Sequence, residues 1–461
     1  MNLNIHIFNK AQKSFWFVPF LFSLVSLCLS LITFYFDWWL SQHHYPIFPK
    51  VLFSNFNLSM TIISTIASSI MTMTTITFST IMVVLTTFLS QYSPRTLQNF
   101  INDRPTQRVL AILVSGVVYC ITLLVLLQDE SGQELYISSA FAGVVAVICL
   151  FVFVYFVHHV SNWVKVSNLI HNITIKTNNK IDNSYLYRKN AIQEEPSTFN
   201  EIFFKETEPM NVYSEASGYL QQIDIERMIK KAWKDKSIVR MVKTPGEYLL
   251  KETLVMTIWT TNEDINVADY LEYLVLGPDK EPMEDIELGI RKLVEIALRA
   301  ISPAINDPNT AKNCIEEIGI ILSKLAKHKL PSSYLTDDEN QVRIILEQPT
   351  FVDYLYKSFY QLRHYGKQDV SIIAEIMRSL RMIGENNSGE TKRLVWTFKD
   401  YILEGIDYES LQDLDMQYLM RHLDELAAVC GKKDWDKDEV RNKYFPEEYK
   451  TKDAYHHDND T

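Results

Sequence analysis

SMTIISTIASSIMTMTTITFSTIMVVLTTFLS, residues 59–90, holds no charged residue, no Pro and no Gly. At 1.5 Å per residue, a helix of this length reaches about 48 Å, against about 30 Å for a bilayer core. It can therefore cross a membrane and project beyond it. It is nevertheless polar for a span: 15 of its 32 residues are Ser or Thr. Thr61, Thr65, Ser68, Thr72, Thr75, Ser79, Met82 and Thr86 follow alternating steps of four and three. A mean step of 3.5 residues holds one face along the whole helix, turned toward a partner helix or a lumen.

Around this stretch the apolar pattern predicts three more spans. The four fall at about 14–36, 58–90, 108–127 and 136–157, each long enough to cross. Trp16, Trp38 and Trp39 mark the ends of the first, as interfacial aromatics do. The first span follows Lys10 and Lys13 but is too long for a signal-peptide core, and no small-residue cleavage site follows it. The 37–57 loop has Lys50 alone, the 91–108 segment has Arg95, Arg104 and Arg108, and 128–135 has no Lys or Arg. The alternation predicts both termini in the cytoplasm of a bacterial cell, with the chain in the inner membrane.

The loop SQYSPRTLQNFINDRPTQR (90–108) breaks the long helix at Ser93-Pro94. One reading is a basic anchor at the headgroups. Another is an ordered elbow built on Ser93, Pro94, Arg95, Asp103, Arg104 and Gln107, with Asp103 paired to an arginine. His43-His44 and His158-His159 lie near the membrane surfaces, and interfacial packing is the expected role of both pairs. No acid is read inside a span, which argues against transport built on buried carboxylates.

Nearly all of the net charge of −11 falls beyond residue 157. An acidic soluble half is a poor nucleic-acid partner. Five scattered cysteines form no CxxC and no zinc spacing. No catalytic triad, P-loop or HExxH motif appears, so neither an enzyme activity nor a cofactor is predicted.

The expected fold class is mainly α: a four-helix transmembrane bundle (1–160), a polar tether (161–208), a small β-rich cytoplasmic module (209–278), an α-helical cytoplasmic domain (279–432) and a charged tail (433–461). In the module, β-prone runs flank Gly218, a short amphipathic helix covers Ile225 to Trp233, and strands are predicted at 237–243 and 254–259 around the turn Thr244-Pro245-Gly246. This order is barrel-sandwich-like, similar to lipoyl domains, but there is no Met-Lys-Met at the hairpin and so no case for lipoyl attachment. Helices are predicted from 285, from Thr310, and over 351–364, 369–384, 390–404 and 409–430, with a strand at 341–347. SPAINDPNTA (302–311) carries the densest polar cluster: Arg299, Ser302, Pro303, Asn306, Asp307, Pro308 and Thr310. It reads either as a tight helix corner capped by Asp307 or as a site for an anion or polar head.

Phe78-Ser79, SQYSPRTLQNFINDRPTQ (90–107), SGYLQQID (217–224) and above all EIALRAISPAINDPNTA (295–311) resemble a bacterial family of predicted membrane proteins, domain of unknown function family 2254. The resemblance extends over nearly the whole chain, though the family has Gly where this chain has Ala304. It implies a multi-pass inner-membrane protein with a cytoplasmic C-terminal region, and no reaction.

Two functions follow. One is a homo-oligomeric, channel-like protein with Thr61, Thr65, Ser68, Thr72, Thr75, Ser79 and Thr86 on a lumen. The same stripe could instead pack within the bundle, because Ser and Thr allow close helix approach. The other function is a membrane-anchored sensor or scaffold whose cytoplasmic half binds a ligand or partner. The lipid bilayer is the partner common to both, and the small ligand or ion is unspecified.

Overall fold

A computed structural model describes residues 17–43, 52–91, 103–127, 136–163, 165–183, 207–262, 265–278, 286–327, 333–432 and 435–436. The elbow residues Ser93, Pro94 and Arg95, with Trp16, His44, Lys50 and most of the charged tail, lie outside them. The chain is mainly α and divides into two compact units, Met1–Asn168 and Leu169–Thr461.

Among its described residues the first unit contains four helices long and apolar enough to span a bilayer: α1 (Phe17–His43), α2 (Phe56–Gln91), α3 (Arg104–Leu126) and α4 (Ser138–Trp163). Helix α3 is the hub and packs on the other three. Its start is fixed locally. Asp103 accepts the Thr106 N–H at 3.1 Å as an N-cap, and Pro105 occupies the first turn, where its missing N–H is not needed. Midway along, a Cβ on Gly116 would lie 2.7 Å from Cys149 Sγ of α4 and 3.5 Å from Ile70 of α2. Three helices converge there because that position has no side chain. At one end of the bundle Ser54 and Tyr136 exchange backbone hydrogen bonds of 3.0 and 2.8 Å, tying the entry of α2 to the entry of α4.

The second unit begins inside a helix. Within the stretch 161–208 expected to be a tether, residues 166–183 instead form helix α5 (Val166–Asn183). Leu169, Ile170, Ile173, Thr174, Thr177 and Ile181 are all buried along one face. Two positions of that face are threonines, which donate to the backbone one turn back (Thr174 to Ile170 O at 3.3 Å, Thr177 to Ile173 O at 2.8 Å) and so need no water. A count of apolar residues alone misses the period. Lys324 anchors the far end, donating to Asn178 O at 3.1 Å and Asp182 Oδ2 at 2.6 Å.

The β region contains a five-stranded sheet and a three-stranded antiparallel sheet around one core. The strands are β1 (Met210–Tyr213), β2 (Gly218–Ile223), β3 (Ser237–Met241), β4 (Tyr248–Leu249), β5 (Leu254–Thr260), β6 (Leu274–Gly277), β7 (Tyr334–Thr336) and β8 (Val342–Ile345). The sheet orders are β1-β5-β3-β8-β7 and β4-β2-β6. Helix α6 (Ile225–Lys234) contributes Met228, Ile229 and Ala232 to that core, so the region departs from a bare barrel sandwich. Gly218 begins β2, and its Cβ would lie 3.2 Å from Gly277 O across the pair. The turn falls at Gly246, with φ of +98°. Strands β7 and β8 come from the middle of the helical region, and β8 pairs in parallel with β3 (Val239 with Ile344). The two regions are therefore threaded through one another. Helices α7 (Ile286–Ala300), α8 (Pro308–Lys327), α9 (Phe351–Tyr365), α10 (Val370–Glu385), α11 (Gly389–Leu403) and α12 (Asp413–Val429) complete the unit.

Candidate functional site

Helix α2 presents two faces, each in a near-heptad register. Ile63, Ile70, Thr77, Ile81 and Val84 are buried in the bundle. Thr61, Thr65, Ser68, Thr72, Thr75, Ser79 and Thr86 are all exposed on the outside of the bundle, as is Met82. Two residues along a helix turn the side chain through about 200°, so Thr65 and Thr72 lie nearly opposite Ile63 and Ile70. The stripe thus does not pack within this four-helix bundle.

Six of the seven stripe hydroxyls, all but Ser79, donate to a carbonyl of their own helix. Thr65 donates to Thr61 O at 2.7 Å, Ser68 to Ser64 O at 2.9 Å, Thr72 to Ser68 O at 2.9 Å and Thr75 to Met71 O at 2.9 Å. The acceptor lone pairs on these oxygens still point outward. The outward faces of the neighbours differ in kind. Helix α1 exposes Phe20, Leu24, Val25 and Ile32, and α4 exposes Val144, Phe151 and Val154. Those are lipid-like surfaces. The outward face of α2 is mostly small hydroxyl side chains.

At the Asp103 end, the cap carboxylate also meets α4. His159 Nε2 lies 2.8 Å from Asp103 Oδ2, with the two side chains 17% and 12% exposed. The Thr106 hydroxyl donates to the same oxygen at 2.8 Å. The elbow reading pairs Asp103 with an arginine; among the described residues its partner is a histidine from another span, with Arg104 exposed, Gln107 buried and Arg95 outside those residues. The His159 ring stacks on Tyr155, with centroids 5.8 Å apart. His158 instead faces outward and bonds Asn162 at 3.0 Å.

The opposite end of the bundle holds residues that the span assignment missed. Helix α1 runs through Asp37, whose residue is 2% exposed. Its Oδ1 accepts the Ile137 N–H at 2.9 Å, at the start of α4. Beside it Ser54 Oγ lies 2.6 Å from Ser59 Oγ and 2.7 Å from Ser139 Oγ. Spacing could have found this set: Ser23, Ser26, Ser30, Thr33 and Asp37 recur at steps of three and four. Among the described residues, no group of three His, Cys, Asp or Glu side chains could hold a metal.

In the second unit, the 302–311 segment folds into a corner between α7 and α8 that consumes its own polar groups. Asp307 accepts the Thr310 N–H at 3.1 Å and the Thr310 hydroxyl at 2.6 Å. The Thr310 hydroxyl is the main reason its carboxyl is held below the usual range. Ser302 Oγ donates to Arg299 O at 2.6 Å, and the Asp307 N–H donates to Ala300 O at 2.8 Å. Asn306 takes φ of +49°, and Pro303, Ala304, Ile305 and Asn306 are exposed at the tip. Pro308 occupies the first position of α8, and Arg299 the last turn of α7.

The model of the family "Predicted membrane protein (DUF2254)" matches residues 12–382. The chain belongs to this family. Uncharacterized proteins of Mycobacterium bovis and Mycobacterium tuberculosis are each 25% identical to it over 341 residues, 71% of this chain. The match spans 64% of the length of those relatives. No solved structure matches the chain. The family match ends within α10, so the end of that helix, α11 and α12 lie beyond it.

Proposed function

We propose that this DUF2254 protein is a multi-pass protein of a bacterial inner membrane, with both termini cytoplasmic, that assembles as a channel-like homo-oligomer around its α2 helices. One observation carries the reading. The outward faces of α1 and α4 are built from Leu, Val, Ile and Phe and suit acyl chains, while that of α2 is mostly hydroxyl side chains, interrupted in its stripe by Met82. Small hydroxyl residues on a span favour close helix contact or a wet lumen over lipid. Symmetry copies the stripe around an axis, so several protomers could enclose a polar path that one bundle does not. The charge alternation between the spans gives the orientation.

The sensor or scaffold reading has less support, because Asp307 and Ser302 are occupied in closing their own corner.

The test replaces Thr72, Thr75 and Ser79 together by Leu in the full chain, reconstituted in vesicles. Ion flux should be lost, while wild-type particles in nanodiscs should show a ring with α2 at its axis. Unchanged flux in the triple variant, or a monomer at every protein-to-lipid ratio, would overturn the proposal.

A further inference from the structure

Helix α1 turns a second polar stripe into the bundle, where α2 turns its own outward. Ser26 Oγ donates to Ser115 O of α3 at 2.5 Å. One heptad on, Thr33 Oγ1 lies 3.1 Å from the Tyr119 hydroxyl and gives its own proton to Leu29 O at 2.9 Å. Tyr119 must therefore be the donor of that pair. One helical turn beyond Thr33 stands Asp37, buried and with one oxygen on the Ile137 N–H. Among the described residues no Lys, Arg or His pairs with this carboxylate, and the described arginines of the bundle, Arg104 and Arg108, are exposed at its other end. Buried acids in spans are costly and generally mark a path for ions or protons.

We infer that Asp37 is a proton-binding site: a carboxyl inside the membrane bundle, at the end of a buried hydroxyl ladder, that takes up and releases one proton. The step is a simple acid–base exchange in which the carboxylate accepts a proton from water and returns it, with no other bond changed.

The surroundings select a proton over a metal ion. A sodium ion needs a cage of several oxygens, but Oδ1 is committed to an N–H donor and the hydroxyls of Ser54, Ser59 and Ser139 bond one another. Among the described side chains here only Asp37 Oδ2 and Ser138 Oγ are uncommitted, too few for a cage. The positive N-terminal end of α4 also points at the carboxylate and repels a cation. The second carboxylate oxygen, Oδ2, is buried with no hydrogen-bond partner among the described residues and is the atom open to a proton. Among the described titratable groups of the packed elements, Tyr119 and Cys120 of α3 and Tyr136 just before α4 lie toward this end, whereas Arg104 and Arg108 of α3 and Cys149, Tyr155, His158 and His159 of α4 lie farther along their helices; α2 and the start of α4 bring Ser59, Ser138 and Ser139. This inference does not rest on the oligomer proposed above and holds for a single bundle.

The test is infrared difference spectroscopy of the full chain in nanodiscs, cycled between alkaline and acidic buffer. The wild type should show a reversible protonated-carboxyl C=O band that is missing in Asp37→Asn, where the amide oxygen still accepts from Ile137. Asp37→Glu should keep the band with a displaced midpoint, and Thr33→Val, which unhooks Tyr119, should move the midpoint as well. A wild type with no reversible band overturns the inference. So does a band with the same midpoint in wild type, Asp37→Glu and Thr33→Val, because it comes from another acid. If Asp37→Asn does not fold, the last two variants decide alone.

Discussion

At Asp307 one carboxylate closes the corner between α7 and α8. It meets both the N–H and the hydroxyl of Thr310, and a side-chain cap of this kind stabilises by about 1 kcal/mol. Asp307→Ala should therefore lower the melting temperature by about 2–4 °C, read by thermal unfolding of the intact protein in detergent. Asp307→Asn, which keeps an acceptor, should lose less. The folded carboxyl titrates below its unfolded value, so this contribution is present above the unfolded pKa and fades as the pH falls through the folded one. The variant and the wild type should converge in acid. A gap that stays constant in acid would refute the cap.

Glu375 on α10 behaves in the opposite sense. It is buried, its Oε1 has no hydrogen-bond partner, and Arg378 approaches its other oxygen only to 3.8 Å. Burial pushes its carboxyl above the usual range. A raised carboxyl favours the fold below its unfolded pKa and loses that advantage as the pH rises through the folded value. Glu375→Gln should thus stabilise the protein at neutral pH by about 1 kcal/mol, with the gain vanishing in acid. Equal or lower stability at neutral pH would place a stronger cation partner on this carboxylate than the geometry provides.

At the scale of elements, the α5–α7 crossing sets a sharp steric limit. A Cβ on Gly289 would lie 2.0 Å from Thr177 Oγ1 and 2.9 Å from its Cγ2. Thr177 is buried and β-branched, so it has little room to turn. Gly289→Ala should cost about 1–3 kcal/mol through overpacking. Thr177→Ala should recover part of that loss, and the coupling should appear in a double-mutant thermal cycle. Additive losses would mean that the two helices do not touch there. The same crossing explains why α5 was not legible as a helix: its buried face uses Thr174 and Thr177 where a sequence reader looks for Leu or Ile. The α2 stripe poses the reverse problem. Its register was legible because hydroxyl residues repeat at 3.5-residue steps. Which way it faced was not, because the buried face carries Thr77 and the exposed face carries Met82.

At the scale of the whole molecule, the helical part of the second unit is not a contiguous run of sequence after the β region. It needs α5 from before that region, while the sheet takes β7 and β8 from between helices. A fragment starting at 165 keeps Leu169, Ile170, Ile173 and Ile181 on α5; one starting at 207 loses them. Each buried Leu or Ile side chain contributes about 1.5–3 kcal/mol. The longer fragment, 165–432, should be soluble with a cooperative melt, whereas 207–432 should aggregate or melt broadly. Two equally cooperative fragments would show that α5 is dispensable.

Although α5, β4, β6 and β7 left no such signal, the sequence by itself determined the four spans and the heptad period of the hydroxyl stripe, offered Asp307 as a cap, and marked α6, β3, β5, β8 and the helices from α7 onward. These depend on chain-local quantities: apolar length, helical period and the short reach of a capping side chain. Only the tertiary structure decided that the stripe of α2 faces outward, that Asp37 is buried within α1 and meets α4, that Asp103 pairs with His159, and that α5 and β8 each join parts distant in sequence. Each of these depends on which face of a helix or edge of a strand another segment covers. That choice is made by packing between segments tens to hundreds of residues apart, and no local pattern encodes it.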